Sequence, residues 1–169
     1  MTKITADIVA RAHATAFGFE PIGGVFAPGR VNLIGDHTDY NDGFVFPVAL
    51  EIGTFIAYSR NTDGRIRARS MNMEAQLERD VMSPVFGDWL DYVIGALQAL
   101  VGYTGAPLPS GLDLTIGSTV PTGASVSSSA ALQVATLRAA AEAFGIEITP
   151  EKLAQLAQSS ENNYVGVNC

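Results

Sequence analysis

The chain has 169 residues, 47% of them apolar, which is enough for one domain with a real core. Its 10 Lys and Arg against 17 Asp and Glu leave a net charge of −7, which argues against a nucleic-acid or anionic-membrane surface, since either needs a basic patch. The single cysteine, Cys169, permits no disulfide framework within the chain and fits a reducing, cytoplasmic setting.

Residues 4–17 place Ile4, Ile8 and Ala12 on one side of a predicted helix, with Gly18 as its stop. Asp7 and Arg11 interrupt this stretch, so it does not read as a secretory signal. No run of about 18 apolar residues follows anywhere, so no membrane-spanning helix is expected. Residues 23–50 mix Gly, Asn and Asp with short apolar runs and read as short strands around a functional loop. A strand over 51–60, a turn at Asn61-Thr62-Asp63-Gly64 and alternation over 65–70 come next, then a strand near 75–81. Residues 88–101 predict a helix with Asp88 as N-cap and Gly102 as stop. Residues 111–117 predict a strand with Leu112, Leu114 and Ile116 on one face. A long helix is expected over about 127–144, and a last one opens at Thr149 with Pro150 in its first position. Antiparallel strands followed by helices, without internal repeats, indicate an α+β fold.

Two segments carry chemistry. From Leu114 to Leu137 there is no charge, and the centre reads PTGASVSSSAAL, residues 121–132, between a predicted strand and a predicted helix. Small residues let backbone approach a ligand closely, and the free N–H groups of a helix start attract anions. Ser127, Ser128 and Ser129 add hydroxyls that can bond phosphate or ligate Mg²⁺. No Lys follows the glycine, as a Walker loop requires, and no dinucleotide fingerprint is present. The same residues also read as a serine-rich helix start.

The second segment, Gly29 to Gly43, holds Arg30, Asn32, Asp36, His37, Asp39, Asn41 and Asp42 between apolar runs. Such a set can grip several sugar hydroxyls, each both donor and acceptor. An EF-hand register fails, because Gly43 comes one position early when the loop is started at Asp39. A zinc site would need more His or Cys than His37. A turn rich in Asn, Asp and Gly is the alternative reading.

GRVNLIGDHTDY resembles the galactokinase signature, and PTGASVSSSAAL resembles the phosphate-binding motif shared by galactokinase, homoserine, mevalonate and phosphomevalonate kinases. ENNYVGVNC is similar to the stretch that precedes the galactokinase catalytic aspartate, and WLDYV to the family's adenine-side helix. The resemblance implies the N-terminal domain of that superfamily, similar to a domain of a small-subunit ribosomal protein, and phosphorylation of the galactose 1-hydroxyl by ATP with Mg²⁺. It implies sugar contacts at Asp36, His37, Thr38 and Asp39, and a transition-state arginine at Arg30. It implies a phosphate loop made of Gly123, Ala124, Ser125, Val126, Ser127, Ser128 and Ser129, and Mg²⁺ ligands at Ser129 and Glu161. Trp89 and Tyr92 match aromatic residues beside the adenine, and Ser70 a further nucleotide contact.

Asp36 stands where the family has Glu, and Ser125 where it has a second glycine. The family pattern continues beyond Cys169 with Gly-Ile-Met-Asp, so residues 1–169 are expected to form a galactokinase-like N-terminal domain without the base, inactive alone. A kinase of a related sugar such as arabinose or N-acetylgalactosamine, and a non-catalytic sugar and ATP sensor, are the other readings.

Overall fold

The computed structural model describes residues 4–35, 43–121 and 127–166. The Gly-rich stretch after the first helix forms long strands rather than the short ones expected. β1 (Gly23–Ile34) and β2 (Phe46–Asn61) run antiparallel as one hairpin, with Gly23 opposite Tyr58 and Ile34 opposite Phe46. Val25 and Ala27 face the core, while Gly24, Phe26 and Pro28 alternate with them on the more exposed side. Register shifts at Pro28/Arg30 and Asn32/Ile34 bend the strand just before the segment 36–42.

The second half of β2 pairs with β5 (Gly111–Ser118), and β3 (Ile66–Ser70) pairs with β4 (Ala75–Arg79), both antiparallel. β3 and β5, however, are parallel, giving the sheet order β1-β2-β5-β3-β4. An all-antiparallel reading fails there because β4 and the helix after it carry the chain back to the starting end, as a parallel pair requires.

Leu112, Leu114 and Ile116 of β5 share the core face as expected, but Asp113, Thr115 and Gly117 on the other face are buried too. The cover is α1 (Ala6–Phe17), which lies close enough that a Cβ on Gly117 would sit 2.8 Å from Val9 Cγ2. On the opposite side α3 (Ser128–Phe144) packs against β1 and β2, and α2 (Leu90–Thr104) and α4 (Pro150–Ser160) pack on α3 and on each other. Leu90, Ile94, Leu97 and Leu100 of α2 meet Ala135 and Ala139 of α3 and Leu153 and Leu156 of α4 in one core.

The helix ends follow cap chemistry with one correction. Thr5 and Thr149 accept N–H groups of the first turns of α1 and α4, and Gly18 takes a left-handed φ of +83°. α2 does not stop at Gly102; it runs on to a left-handed Gly105. A glycine within a helix costs about 1 kcal/mol relative to alanine, which the buried Leu97 and Leu100 outweigh. Asp88 lies one residue outside the helix cap, yet its Oδ1 still accepts the Leu90 N–H at 2.9 Å.

α1 is tied to the sheet by a buried histidine. His13 is fully buried, with Nδ1 3.1 Å from Thr115 Oγ1 and Nε2 2.8 Å from Ser59 Oγ. Burial holds its pKa down to about 4 from 6.5, against a smaller upward pull from the Ala57 backbone. The unfolded chain therefore binds this proton first, and the stability from neutral His13 is complete above about 6.5 and lost as pH falls towards about 4. We predict that stability drops by up to about 3 kcal/mol across that window. His13→Gln should flatten that part of a urea-denaturation pH profile; an unaltered profile would contradict the prediction.

Candidate active site

The uncharged motif lies where strand gives way to helix, and both of its flanks are pinned. Asn72 bonds both the N–H and the carbonyl of Ser118 at 2.8 Å, holding the end of β5. Thr119 N–H donates to the Gly53 carbonyl at 2.9 Å, and Gly53 N–H donates to Thr119 Oγ1 at 2.9 Å. Only glycine fits at position 53, since a Cβ there would sit 2.3 Å from the Ala27 carbonyl oxygen. Gly123, Ala124, Ser125 and Val126 lie outside the described residues. The chain is described again at Ser127, which takes a left-handed φ of +57°, a conformation costing a non-glycine residue roughly 1–2 kcal/mol. Its carbonyl accepts the Ala131 N–H at 3.0 Å, so α3 begins at Ser128, and no side chain caps the helix. A helix start without a side-chain cap offers N–H groups and the positive end of the helix dipole, the features that attract phosphate.

One residue into α3, Ser129 donates its hydroxyl to Glu161 Oε1 at 2.6 Å, across 32 residues of sequence. One helical turn further, Gln133 Nε2 donates to Glu161 Oε2 at 3.0 Å. Gln133 is fully buried and Glu161 is 5% exposed. The two residues expected as Mg²⁺ ligands are therefore in direct contact. Gln133 was not anticipated; its only signal was its spacing of four from Ser129 along a predicted helix.

Glu161 reaches this position because α4 does not simply end. It passes into a π-helical segment, Glu161–Val165, closed by a left-handed Gly166 whose N–H returns to the Glu161 carbonyl at 2.9 Å. The segment packs on α2 at Gly95, where a Cβ would sit 2.6 Å from Ser160 Oγ and 2.7 Å from the Tyr164 ring. Tyr164 donates its hydroxyl to the Ser83 carbonyl at 2.8 Å, and burial with the nearby Asp91 charge pushes its pKa up, keeping it a neutral donor.

The start of α2 is held as firmly. Asp91, 2% exposed, accepts the N–H groups of Phe86, Gly87 and Asp88 and pairs with Arg79 Nη1 at 2.5 Å. Burial alone would raise its pKa, but the Phe86 and Gly87 N–H groups and Arg79 outweigh it and hold the carboxyl below its usual range. Arg79 also pairs with Asp88 and lies 4.3 Å from the Phe86 ring. This fixes the place of Trp89 and Tyr92. Trp89 packs against the core, and neither ring is stacked on another among the described residues.

The other expected residues are more dispersed. Arg30 is exposed on β1 beside the bulge, opposite Ala49. Ser70 is buried at the end of β3 and accepts the Met73 N–H at 3.3 Å. Asp36, His37, Thr38 and Asp39 lie outside the described residues.

Residues 11–60 match the galactokinase galactose-binding signature, and residues 91–169 the N-terminal domain of GHMP kinases. The chain is 44% identical to a Roseiflexus galactokinase over 90% of its own length and 39% of that protein's. It is 42% identical to a Streptomyces coelicolor galactokinase over 98% of its own length and 43% of the other's. A crystal structure of Lactococcus lactis galactokinase complexed with galactose superposes with a TM-score of 0.87 at 32% identity, over 96% of this chain and 43% of that one. The chain belongs to the galactokinase family. It spans about two fifths of the length of these curated relatives. Methanococcus jannaschii mevalonate kinase, at 20% identity and a TM-score of 0.74, shares the fold.

The sequence resemblance implies Mg²⁺, and the donors here suit it. A hydroxyl and a carboxylate are hard oxygen ligands. Among the described residues Glu161 forms no ion pair, so a buried carboxylate is left without a counter-charge that a divalent ion would provide. Among the described residues no cluster of three or more His, Cys, Asp or Glu exists.

Because the π-helical segment rests on Gly95, Gly95→Val should push Glu161 away from Ser129. We predict a loss of about 1–3 kcal/mol in stability from overpacking and a lower melting temperature by calorimetry. Unchanged melting would show that the α2 contact does not fix the segment.

Proposed function

We propose that these residues form the sugar- and nucleotide-binding part of a kinase that transfers the γ-phosphoryl group of ATP to the 1-hydroxyl of galactose. The observation that carries this reading is the joining, on one sheet, of a galactose-binding signature over 11–60 to a pinned strand–loop–helix frame holding the Ser129–Glu161 pair. In this reading Asp36, His37, Thr38 and Asp39 grip the sugar hydroxyls. Residues 123–129 and the N-terminus of α3 cradle the phosphates. Trp89, Tyr92 and Ser70 flank the nucleotide, and Arg30 neutralises charge on the phosphoryl group in flight. Mg²⁺, when bound, offsets charge on the phosphate oxygens, with Ser129 and Glu161 as its protein ligands. The base that takes the sugar proton lies outside residues 1–169. Partners are the sugar and ATP, neither nucleic acid nor membrane, in the cytoplasm; no described helix is long and apolar enough to cross a membrane. Asp36 in place of glutamate supports a second reading, a kinase of a related sugar, because a carboxylate one methylene shorter alters reach to a hydroxyl.

The test is a coupled assay on the protein that carries these residues. We predict Mg²⁺-dependent formation of galactose 1-phosphate, abolished by chelator. Residues 1–169 assayed alone should turn over at least about 10²-fold more slowly, the scale of a lost base. Phosphorylation of mevalonate or homoserine but no hexose would overturn the proposal. Comparable turnover by residues 1–169 alone would place the base within them.

A further inference from the structure

Gln133 is the one buried polar side chain in contact with Glu161 that the proposed reading leaves without a role. It sits one turn after Ser129 on the same face of α3, fully buried, with Nε2 3.0 Å from Glu161 Oε2. Its Oε1 has no hydrogen-bond partner among the described residues. The orientation is enforced by charge, since turning the amide over would set its oxygen against the carboxylate. We propose that Gln133 is a positioning residue for Glu161: it anchors Oε2, so that Oε1 stays directed at Ser129 and at a divalent ion shared with a bound nucleotide. This inference rests on the reading of the site as a Mg²⁺-nucleotide kinase.

Neutrality is the reason an amide suits this place. Lys or Arg here would orient the carboxylate equally well but cancel the charge that draws the cation. An apolar residue would keep the charge but leave the carboxylate free to rotate and one lone pair buried without a donor. An amide donor restrains the carboxylate and leaves its charge available. Outer partners of this kind commonly set metal affinity by 10- to 100-fold.

The experiment compares the protein carrying this chain with its Gln133→Met variant, of similar volume and without the donor. Three affinities are measured: Mn²⁺ by electron paramagnetic resonance with a saturating non-hydrolysable ATP analogue, the same analogue without metal, and galactose. A positioning role predicts Mn²⁺ binding weaker by roughly 10- to 100-fold, with the other two affinities unchanged. Equal losses in all three, or unchanged Mn²⁺ binding, would overturn it. Should the variant not fold, the Gln133 side-chain amide of the unaltered protein is followed by ¹⁵N NMR. Its resonance should shift on adding Mg²⁺ to the analogue-bound protein, and a static resonance would overturn the inference. If the unaltered protein binds no Mn²⁺ beyond what the nucleotide itself holds, the kinase reading fails, and this inference with it.

Discussion

A buried carboxylate needs donors, and much of this domain is arranged to supply them to Glu161. Ser129 and Gln133 contact its two oxygens from successive turns of α3. The carboxylate gets there through the π-helical segment, and the segment is seated through Gly95 of α2. α2 in turn is clamped at its start by Asp91 and Arg79. A chain of close contacts thus runs from the β4–α2 turn to the first turn of α3. The Gln133–Glu161 and Arg79–Asp91 contacts are buried and the seat on Gly95 leaves no room for a side chain, so displacement at these links reaches the carboxylate.

The strand–loop–helix frame is held by the same kind of contacts, with backbone groups in place of a carboxylate. Thr119, Gly53 and Asn72 fix where the strand lets go of the chain, and the left-handed Ser127 fixes where α3 takes it up. Strain at Ser127 costs free energy locally, which the packing of α3 on β1, β2 and α2 offsets. The result is a helix N-terminus without a side-chain cap, set in a fixed direction by the packing of α3.

Much of this was legible in the sequence. The helix start at Thr149, the left-handed Gly18 and the core face of β5 follow from cap chemistry and period-two alternation, whereas the cap at Thr5 falls inside the stretch read as helical from residue 4. Ser129 and Glu161 were both marked by motif resemblance, but their contact was not visible, because it depends on how α4 lies against α3. The parallel β3–β5 pair was missed for the same reason, as register between distant strands is a tertiary property. Gly102 misled because glycine stops a helix only where the chain turns left-handed, and that happens at Gly105. Gln133 was missed because glutamine within a helix usually faces water; only its spacing from Ser129 hinted otherwise.

In the proposed function Ser129 and Glu161 together hold a divalent ion shared with the nucleotide phosphates. Anomalous diffraction from crystals of the protein grown with Mn²⁺ and a non-hydrolysable ATP analogue tests it most directly. We expect a peak within about 2.2 Å of both Ser129 Oγ and a Glu161 carboxylate oxygen, close to the distances of hard six-coordinate ions. Nucleotide bound with the metal peak away from both residues, or with the Ser129–Glu161 hydrogen bond still intact, would contradict it.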